Sequence, residues 1–286
     1  MAVYKRGYRR YEGSMTGRLS RLLVLPRYAW RILLKRRLMV SLLIMAMFWP
    51  VVCICFIYIS NHADLLLSFG PELKKFLNID SDFFLIFMRV QAVFSIIVAV
   101  FAGPSLVAPD LSNNALQLYF SRPFSRGEYI IARLIVLLGL LSLVTLIPGT
   151  LLFTLQSGMA GWSWFSENWS LGPGIFIGFL IWISLVSLVA LACSAYVRKR
   201  VIAESLILGI MWVLPVGTEI FNKVFNVVWA SLFNPILVMN RISTWLLGAT
   251  PESGPSVLQC WLAVVVMGAL LLAVLRRKLR PVEVVS

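Results

Sequence analysis

The feature that most constrains this sequence is a series of long apolar stretches that carry almost no charge. Each approaches the roughly 20 helical residues needed to cross a hydrocarbon core of about 30 Å. Backbone amides and carbonyls in lipid must be satisfied within their own segment, so such stretches form helices. Strands of a membrane barrel would instead alternate apolar and polar residues over segments of about ten. The sequence therefore predicts an all-α integral membrane protein with six transmembrane helices.

The six predicted spans form one transmembrane domain over residues 38–275. They cover residues 38–60, 83–108, 129–155, 174–197, 201–219 and 258–275. Of the 286 residues, 60% are hydrophobic and 13% are charged, and the mean hydropathy is +0.88. Soluble domains are only about 45–50% apolar, so burial in a soluble core does not explain this composition. Residues 220–248 are apolar but interrupted by polar side chains; we expect short helices packed on or dipping into the outer face, not a seventh crossing.

Lysine and arginine are concentrated in particular connections. Eleven of the 26 precede residue 38, residues 109–133 and 198–200 carry three each, and four follow Leu275. Because short basic connections stay in the cytoplasm, we expect both termini to be cytoplasmic, residues 1–37 and 276–286 included. The net charge of +14 is explained by anionic lipid headgroups beside the spans, and we expect no nucleic-acid partner.

The N-terminal 37 residues are predicted to end in an interfacial helix. From Pro26 onward, Arg27, Arg31 and Lys35 recur at four-residue spacing on one stripe, while aromatic and aliphatic side chains fill the other faces. This pattern predicts a helix along the inner leaflet with its basic side toward the headgroups. An ordinary basic anchor for the first span is the alternative.

No motif in the sequence indicates an enzyme. A G-x-x-x-x-G-K-[ST] phosphate loop is absent, and so are a nucleophile elbow and an H-E-x-x-H zinc motif. The single histidine, His62, has no partner nearby in sequence, and the four cysteines lack metal-ligand spacing. We therefore expect no catalytic residue, no metal site and no cofactor bound by this chain.

The connection between the second and third spans is the most specific stretch. Residues 109–129 read PDLSNNALQLYFSRPFSRGEY. This pattern predicts a short helix from near Asp110 or Ser112, a turn, and a second helix capped by Ser125 with Glu128 three residues later. Two helices joined by a rigid turn would form a docking surface.

Charged side chains in this connection also suggest an ion pair. Our hypothesis from the sequence is that Asp110 pairs with Arg122 or Arg126 across the turn. The alternative is a capped connector whose arginines only fix the topology.

The same connection resembles that of type-2 ABC transporter permeases, which join their second and third spans through an acidic residue, an L-x-L-Y helix and an S-R-P-[FIV]-S-R-x-x-Y turn. Here the two motifs fall at residues 116–119 and 121–129, and the number of spans extends the resemblance to nearly the whole chain. In that family the segment contacts a separate ATPase subunit. The resemblance implies an ATPase-coupling loop over residues 110–128, with these residues: Asp110, Asn113, Asn114, Gln117, Tyr119, Ser121, Arg122, Pro123, Ser125, Arg126 and Glu128.

The resemblance further implies a permease subunit of an ATP-driven exporter in the plasma (inner) membrane of a bacterium. It would form the translocation path as a dimer with an identical or homologous copy. Separately encoded cytoplasmic ATPase subunits would bind ATP and Mg. The residues themselves leave open a membrane scaffold, a secondary transporter without an ATPase, or a membrane-embedded enzyme. Ion-coupled carriers usually place several charges near mid-membrane, whereas these spans are nearly uncharged at their centres.

Among the charged residues inside predicted spans, three are candidates for a functional role, namely Arg89, Glu204 and Glu219. Each either extends to an interface or belongs to a substrate path or an inter-helix pair. Proline also occurs within spans, and Gly103-Pro104 and Pro148-Gly149 are candidate hinges, with ordinary packing irregularity as the alternative.

Overall fold

The structure is a computed structural model that describes residues 17–62, 79–113, 115, 119, 125–197, 199–250 and 254–278. The first half contains α1 Arg18–Lys35, α2 Arg37–Asn61, α3 Ser81–Ala102, α4 Pro104–Ser112, α5 Arg126–Val144 and α6 Leu146–Ala160. The second half contains α7 Trp162–Asn168, α8 Leu171–Tyr196, α9 Arg200–Leu208, α10 Leu214–Phe225, α11 Pro235–Leu246 and α12 Val257–Lys278. A π-helical turn, Gly209–Val213, joins α9 to α10, and a 3₁₀ turn, Trp229–Phe233, precedes α11. The described residues form no strand.

Six helical segments among the described residues are long and apolar enough to cross a membrane, which confirms the predicted number. They are Arg37–Asn61, Ser81–Ser112, Arg126–Ala160, Leu171–Tyr196, Arg200–Phe225 and Val257–Lys278. Their ends differ from the predicted ends by a few residues, and most of the helices extend into the flanking sequence beyond the apolar stretch. The chain is therefore a multi-pass membrane protein.

Side-chain caps set the start of three helices. The Asp80 carboxylate accepts hydrogen bonds from two backbone amides in the first turn of α3, each at 3.1 Å. Ser125 caps α5 in the same way, and Asn234 caps α11 immediately before a proline. Such caps satisfy amides that have no partner within the helix.

Helix α8 lies at the centre of the fold. It packs against seven helices: α3, α4, α5, α6, α9, α11 and α12. In its most apolar window 67% of the residues are buried, against 6% in α12. Glycines allow the closest approaches: a Cβ on Gly103 would lie 2.7 Å from Ala190 Cβ, and one on Gly174 would lie 2.8 Å from the Leu246 carbonyl oxygen. Small residues bring membrane helices together in this way.

Three of the six spans are interrupted close to a proline. The second span breaks at Gly103 before Pro104, and the third at Thr145 before Pro148. The fifth span contains the π-helical turn that ends just before Pro215. Proline supplies no amide hydrogen and crowds the preceding turn, which accounts for these breaks. The first two breaks lie at or within a turn of the two candidate hinges, while movement at them stays a prediction.

Residues 220–248 form short elements, as the sequence predicts. They comprise the end of α10, the 3₁₀ turn and α11, which packs on α8 and α12. The twelve residues of α11 extend about 18 Å, too short to cross a core of about 30 Å. Their position relative to the outer face stays a prediction.

The N-terminal helix begins earlier than the sequence predicts. Helix α1 starts at Arg18, so Pro26 lies inside it and not in its first turn. The preceding residues are mostly leucine and arginine, both good helix formers. The basic stripe is exposed as predicted, and the opposite side buries Ala29 and Leu33 against the core. An interfacial position for α1 stays a prediction.

Candidate functional site

Asp110, the first residue assigned to the coupling loop, lies in the last turn of α4. The sequence predicts a short helix that starts near this residue or Ser112. Asp110 lies in a helix that starts earlier, at Pro104, and ends at Ser112. Ala115 and Tyr119 are again helical, and the rest of the predicted helix lies outside the described residues. Proline suits the first turn of a helix, where its missing amide hydrogen costs nothing, and this explains the earlier start. Asp110 therefore stands at the end of the second span.

The Asp110 carboxylate binds two side chains of α5. Its Oδ2 atom accepts a hydrogen bond from the Tyr129 hydroxyl at 2.7 Å and forms a hydrogen-bonded ion pair with the Arg133 guanidinium. Only 8% of the Arg133 side chain and 16% of the Asp110 side chain are exposed. The guanidinium also lies over the Tyr129 ring, 5.2 Å from its centroid, in a cation–π contact.

These partners differ from the sequence hypothesis. Asp110 pairs with Arg133 and not with Arg126, which is exposed at the start of α5; Arg122 lies outside the described residues. The physical reason is burial, because an arginine enclosed in an apolar span needs a counter-charge, whereas an exposed one is solvated. Arg133 lies one turn beyond Tyr129 on the same face, so both reach the same carboxylate.

Tyr119 extends this group of residues beyond the two spans. Its ring centroid lies 5.9 Å from that of Tyr129. Burial, and next the Asp110 carboxylate, raise the pKa of the Tyr119 phenol above its ordinary value. We call Asp110, Tyr119, Tyr129 and Arg133 the Asp110 cluster. It joins the end of the second span to the start of the third.

The predicted capping box at the start of α5 is confirmed. The Glu128 amide donates to the Ser125 hydroxyl at 3.2 Å, and the Ser125 amide donates to the Glu128 carboxylate at 2.7 Å. This reciprocal pair fixes the direction in which the chain enters α5. Asn113 is the exposed C-cap of α4. Five further residues assigned to the coupling loop lie outside the described residues: Asn114, Gln117, Ser121, Arg122 and Pro123.

The three charged candidates inside predicted spans, Arg89, Glu204 and Glu219, have different surroundings. Arg89 of α3 donates from Nε to the Asn240 side-chain oxygen at 2.6 Å, an inter-helix contact with α11. Glu204 accepts a 2.6 Å bond from Arg200, one turn earlier on α9, so this pair is local. Glu219 is exposed on α10.

A buried glutamine connects three spans and was missed by the sequence reasoning. Gln91 of α3 is 0% exposed, and its amide nitrogen donates to the carbonyls of Ala46 at 3.0 Å and Val144 at 2.5 Å. Both carbonyls lie four residues before a proline, Pro50 and Pro148. Neither therefore receives the usual helical hydrogen bond, and one side chain satisfies both.

Arg133 was also missed, because the sequence reasoning counted it only as a cytoplasmic positive charge. The signal in the sequence was a charged residue inside an apolar stretch, because Arg133 lies seven residues after the start of α5.

No group of three His, Cys, Asp or Glu side chains placed to hold a metal occurs within the described ranges. No family model and no curated protein matches the chain.

Proposed function

We propose that this chain is the permease subunit of an ATP-driven exporter of the type-2 ABC transporter class. It lies in the plasma (inner) membrane of a bacterium with both termini in the cytoplasm. Two copies, identical or homologous, enclose the translocation path between them. Separate ATPase subunits bind and hydrolyse ATP with Mg and dock on residues 110–128.

The Asp110 cluster is the observation that carries this proposal. A loop can transmit movement to the membrane only if it is tied firmly to the helices it must move. Here Asp110 at the end of the second span is bonded to Tyr129 and Arg133 at the start of the third. Breaking one partner of a buried ion pair typically costs about 3–5 kcal/mol. A force applied to the connection therefore displaces both spans together.

Contacts beyond the cluster extend this connection into the protein. The Ala108 amide of α4 donates to the Ser194 hydroxyl of α8 at 3.1 Å. The Arg36 guanidinium, between α1 and α2, donates to the Ser105 hydroxyl of α4 at 3.1 Å. Movement of α4 therefore reaches both the central helix and the N-terminal helix, as a two-state transport cycle requires.

The test is purification of the tagged protein from its native membrane in mild detergent, with crosslinking, followed by identification of the co-purifying chains. We expect a stoichiometric ATPase that contains a P-loop. Arg126→Glu should abolish this association without unfolding α5, because an acidic residue is favourable in the first turn of a helix. Arg27→Glu, on the exposed stripe of α1, is the matched control and should keep the ATPase bound.

A second variant separates docking from transmission. Asp110→Asn removes the charge that pairs with Arg133 but keeps the sequence of residues 121–128, so the ATPase should still bind while its coupling to transport falls. If no ATPase is recovered even after crosslinking, the assignment is wrong, and a scaffold or a secondary transporter replaces it.

A further inference from the structure

Helix α12 carries an exposed apolar stripe that ends at two arginines. Leu262, Val266 and Leu270 are exposed on one face of this helix at four-residue spacing. Arg276 and Arg277 are exposed in its last turn and flank the same face. The ten residues from Val266 to Arg276 extend about 15 Å along the axis, which is the depth of one leaflet of a hydrocarbon core of about 30 Å. The stripe therefore matches an acyl chain whose headgroup lies at the arginines.

The two arginines are available to an anion. Neither guanidinium forms a hydrogen bond or an ion pair with any residue that the structure describes. Helices α8, α9 and α12 together contain a single acidic residue, Glu204, and Arg200 binds it at 2.6 Å. No carboxylate of these three helices is therefore left to neutralise Arg276 and Arg277.

A third cation is held beside the arginines by an aromatic ring. The Lys278 ammonium lies over the Tyr196 ring, 5.0 Å from its centroid, in a cation–π contact that joins the end of α12 to the end of α8. Tyrosine is enriched where spans meet the membrane surface, and this ring is half-exposed. Lys199, the exposed N-cap of α9, is three residues after Tyr196, so the two Cα atoms lie within about 11 Å. Basic groups of three helices thus converge at one span end.

We propose that the ends of α8 and α12 bind an acidic phospholipid, with its headgroup phosphate on Arg276, Arg277 and Lys278 and an acyl chain along the exposed stripe of α12. Guanidinium groups bind phosphate oxygens through paired hydrogen bonds, and basic clusters at span ends favour acidic headgroups. A zwitterionic lipid should bind more weakly, because its own amine offsets the phosphate charge. The inference is independent of the transport function, since such a lipid would bind a transporter and a scaffold alike.

The experiment uses the full-length protein in nanodiscs of zwitterionic phosphatidylcholine. The probe is phosphatidylglycerol with a photoreactive diazirine on one acyl chain, and mass spectrometry identifies the crosslinked peptides. The expected result is saturable crosslinking to residues 266–277 that unlabelled phosphatidylglycerol displaces and added phosphatidylcholine does not. Soluble glycerol phosphate in excess should not displace the probe either, which separates a lipid site from a site for free phosphate.

Paired variants test the headgroup contacts. The double variant Arg276→Gln/Arg277→Gln should raise the half-saturating fraction of the probe about 25-fold, because each basic residue near an acidic membrane surface contributes about fivefold. Arg27→Gln/Arg31→Gln removes the same charge from the exposed stripe of α1 and should leave crosslinking to α12 unchanged. Tyr196→Leu removes the ring under Lys278 and should cost about two- to fivefold, whereas Tyr196→Phe keeps the ring and should bind like the wild type.

All of these substitutions are at exposed positions, so the variants should purify and elute like the wild type. The proposal is overturned if phosphatidylcholine or glycerol phosphate displaces the probe as well as phosphatidylglycerol does. It is also overturned if the two double variants raise the half-saturating fraction equally, because the lipid would then respond to the surface charge of the whole protein and not to a site on α12.

Discussion

Replacing Gln91 by methionine tests whether this side chain stabilises the fold through carbonyls that prolines leave without a partner. Methionine keeps a linear side chain of similar length but removes both N–H donors. The carbonyls of Ala46 and Val144 then stay buried without their donor. Each unsatisfied buried group costs about 1–3 kcal/mol in a soluble protein.

The lower part of that range applies here. Side-chain hydrogen bonds in membrane proteins average about 0.6 kcal/mol and reach about 1.7, because the unfolded chain in lipid also finds partners. The Gln91 Oε1 atom is buried and accepts no hydrogen bond from the described residues, and methionine removes this unfavourable group as well. We expect Gln91→Met to lower the free energy of unfolding by about 1–2 kcal/mol for the two carbonyls together. This change in the free energy of unfolding can be measured by reversible unfolding in mixed micelles or by steric trapping.

The decisive measurement is a double-mutant cycle with Pro148→Ala. Alanine supplies the backbone N–H that proline lacks, so the Val144 carbonyl regains a helical partner. Gln91→Met should then cost about half as much as in the wild type. Gln259→Met, at an exposed cap of α12 where water can replace the lost hydrogen bond, should cost less than Gln91→Met, at most about 0.5 kcal/mol. Equal costs of Gln91→Met in both backgrounds would refute the reasoning, because the glutamine would then not act through the carbonyl that the proline exposes.

Two further pairs of substitutions test the buried charges and the packing. Asp110→Asn leaves the buried Arg133 without its counter-charge and should lower the free energy of unfolding by about 3 kcal/mol or more. Glu204→Gln, at a pair that is partly exposed, should lower it by at most about 1 kcal/mol, and equal effects of the two changes would contradict the role of burial. Gly103→Ala brings a Cβ against the central helix and should cost about 1–3 kcal/mol in the same assay. The matched change Gly158→Ala meets open space and should be neutral or stabilising, so a similar loss at both glycines would argue against the close approach.

The spans could be predicted from the sequence because length and apolar character alone determine them. Most of their ends could not, because an end can depend on a cap such as Asp80, which resembles any other polar residue beside an apolar stretch. The predicted start of α1, at Pro26, was wrong for a related reason. Proline is favoured in a first turn, but Pro26 is accommodated inside a helix whose other residues favour helix formation strongly.

The ion pair of the candidate site was also predicted with the wrong partner. The sequence reasoning considered only the arginines of the connection, because they are close to Asp110 along the chain. The actual partner, Arg133, became visible only when α4 and α5 were placed side by side. One physical signal was available in advance, since a charge two turns inside an apolar span requires a counter-charge.

The hydrogen-bond acceptors of Gln91 could not have been predicted from the sequence. Its two acceptors lie on two other spans, 45 and 53 residues away. Proline marks each carbonyl that lacks a helical partner, but only the three-dimensional packing shows which donor reaches it. The same holds for Arg89, whose partner Asn240 is 151 residues distant.

The central position of α8 has a consequence for how the protein is made. Ribosomes deliver the N-terminal spans first, yet α3, α4, α5 and α6 all bury their surfaces against a helix that emerges only after them. Until residue 196 has left the ribosome, these earlier spans can pack on one another and on α1 and α2, but they lack the helix that all four of them share as a partner. A nascent chain halted before Leu171 should therefore be degraded rapidly, whereas one halted after α8 has emerged already contains the central packing.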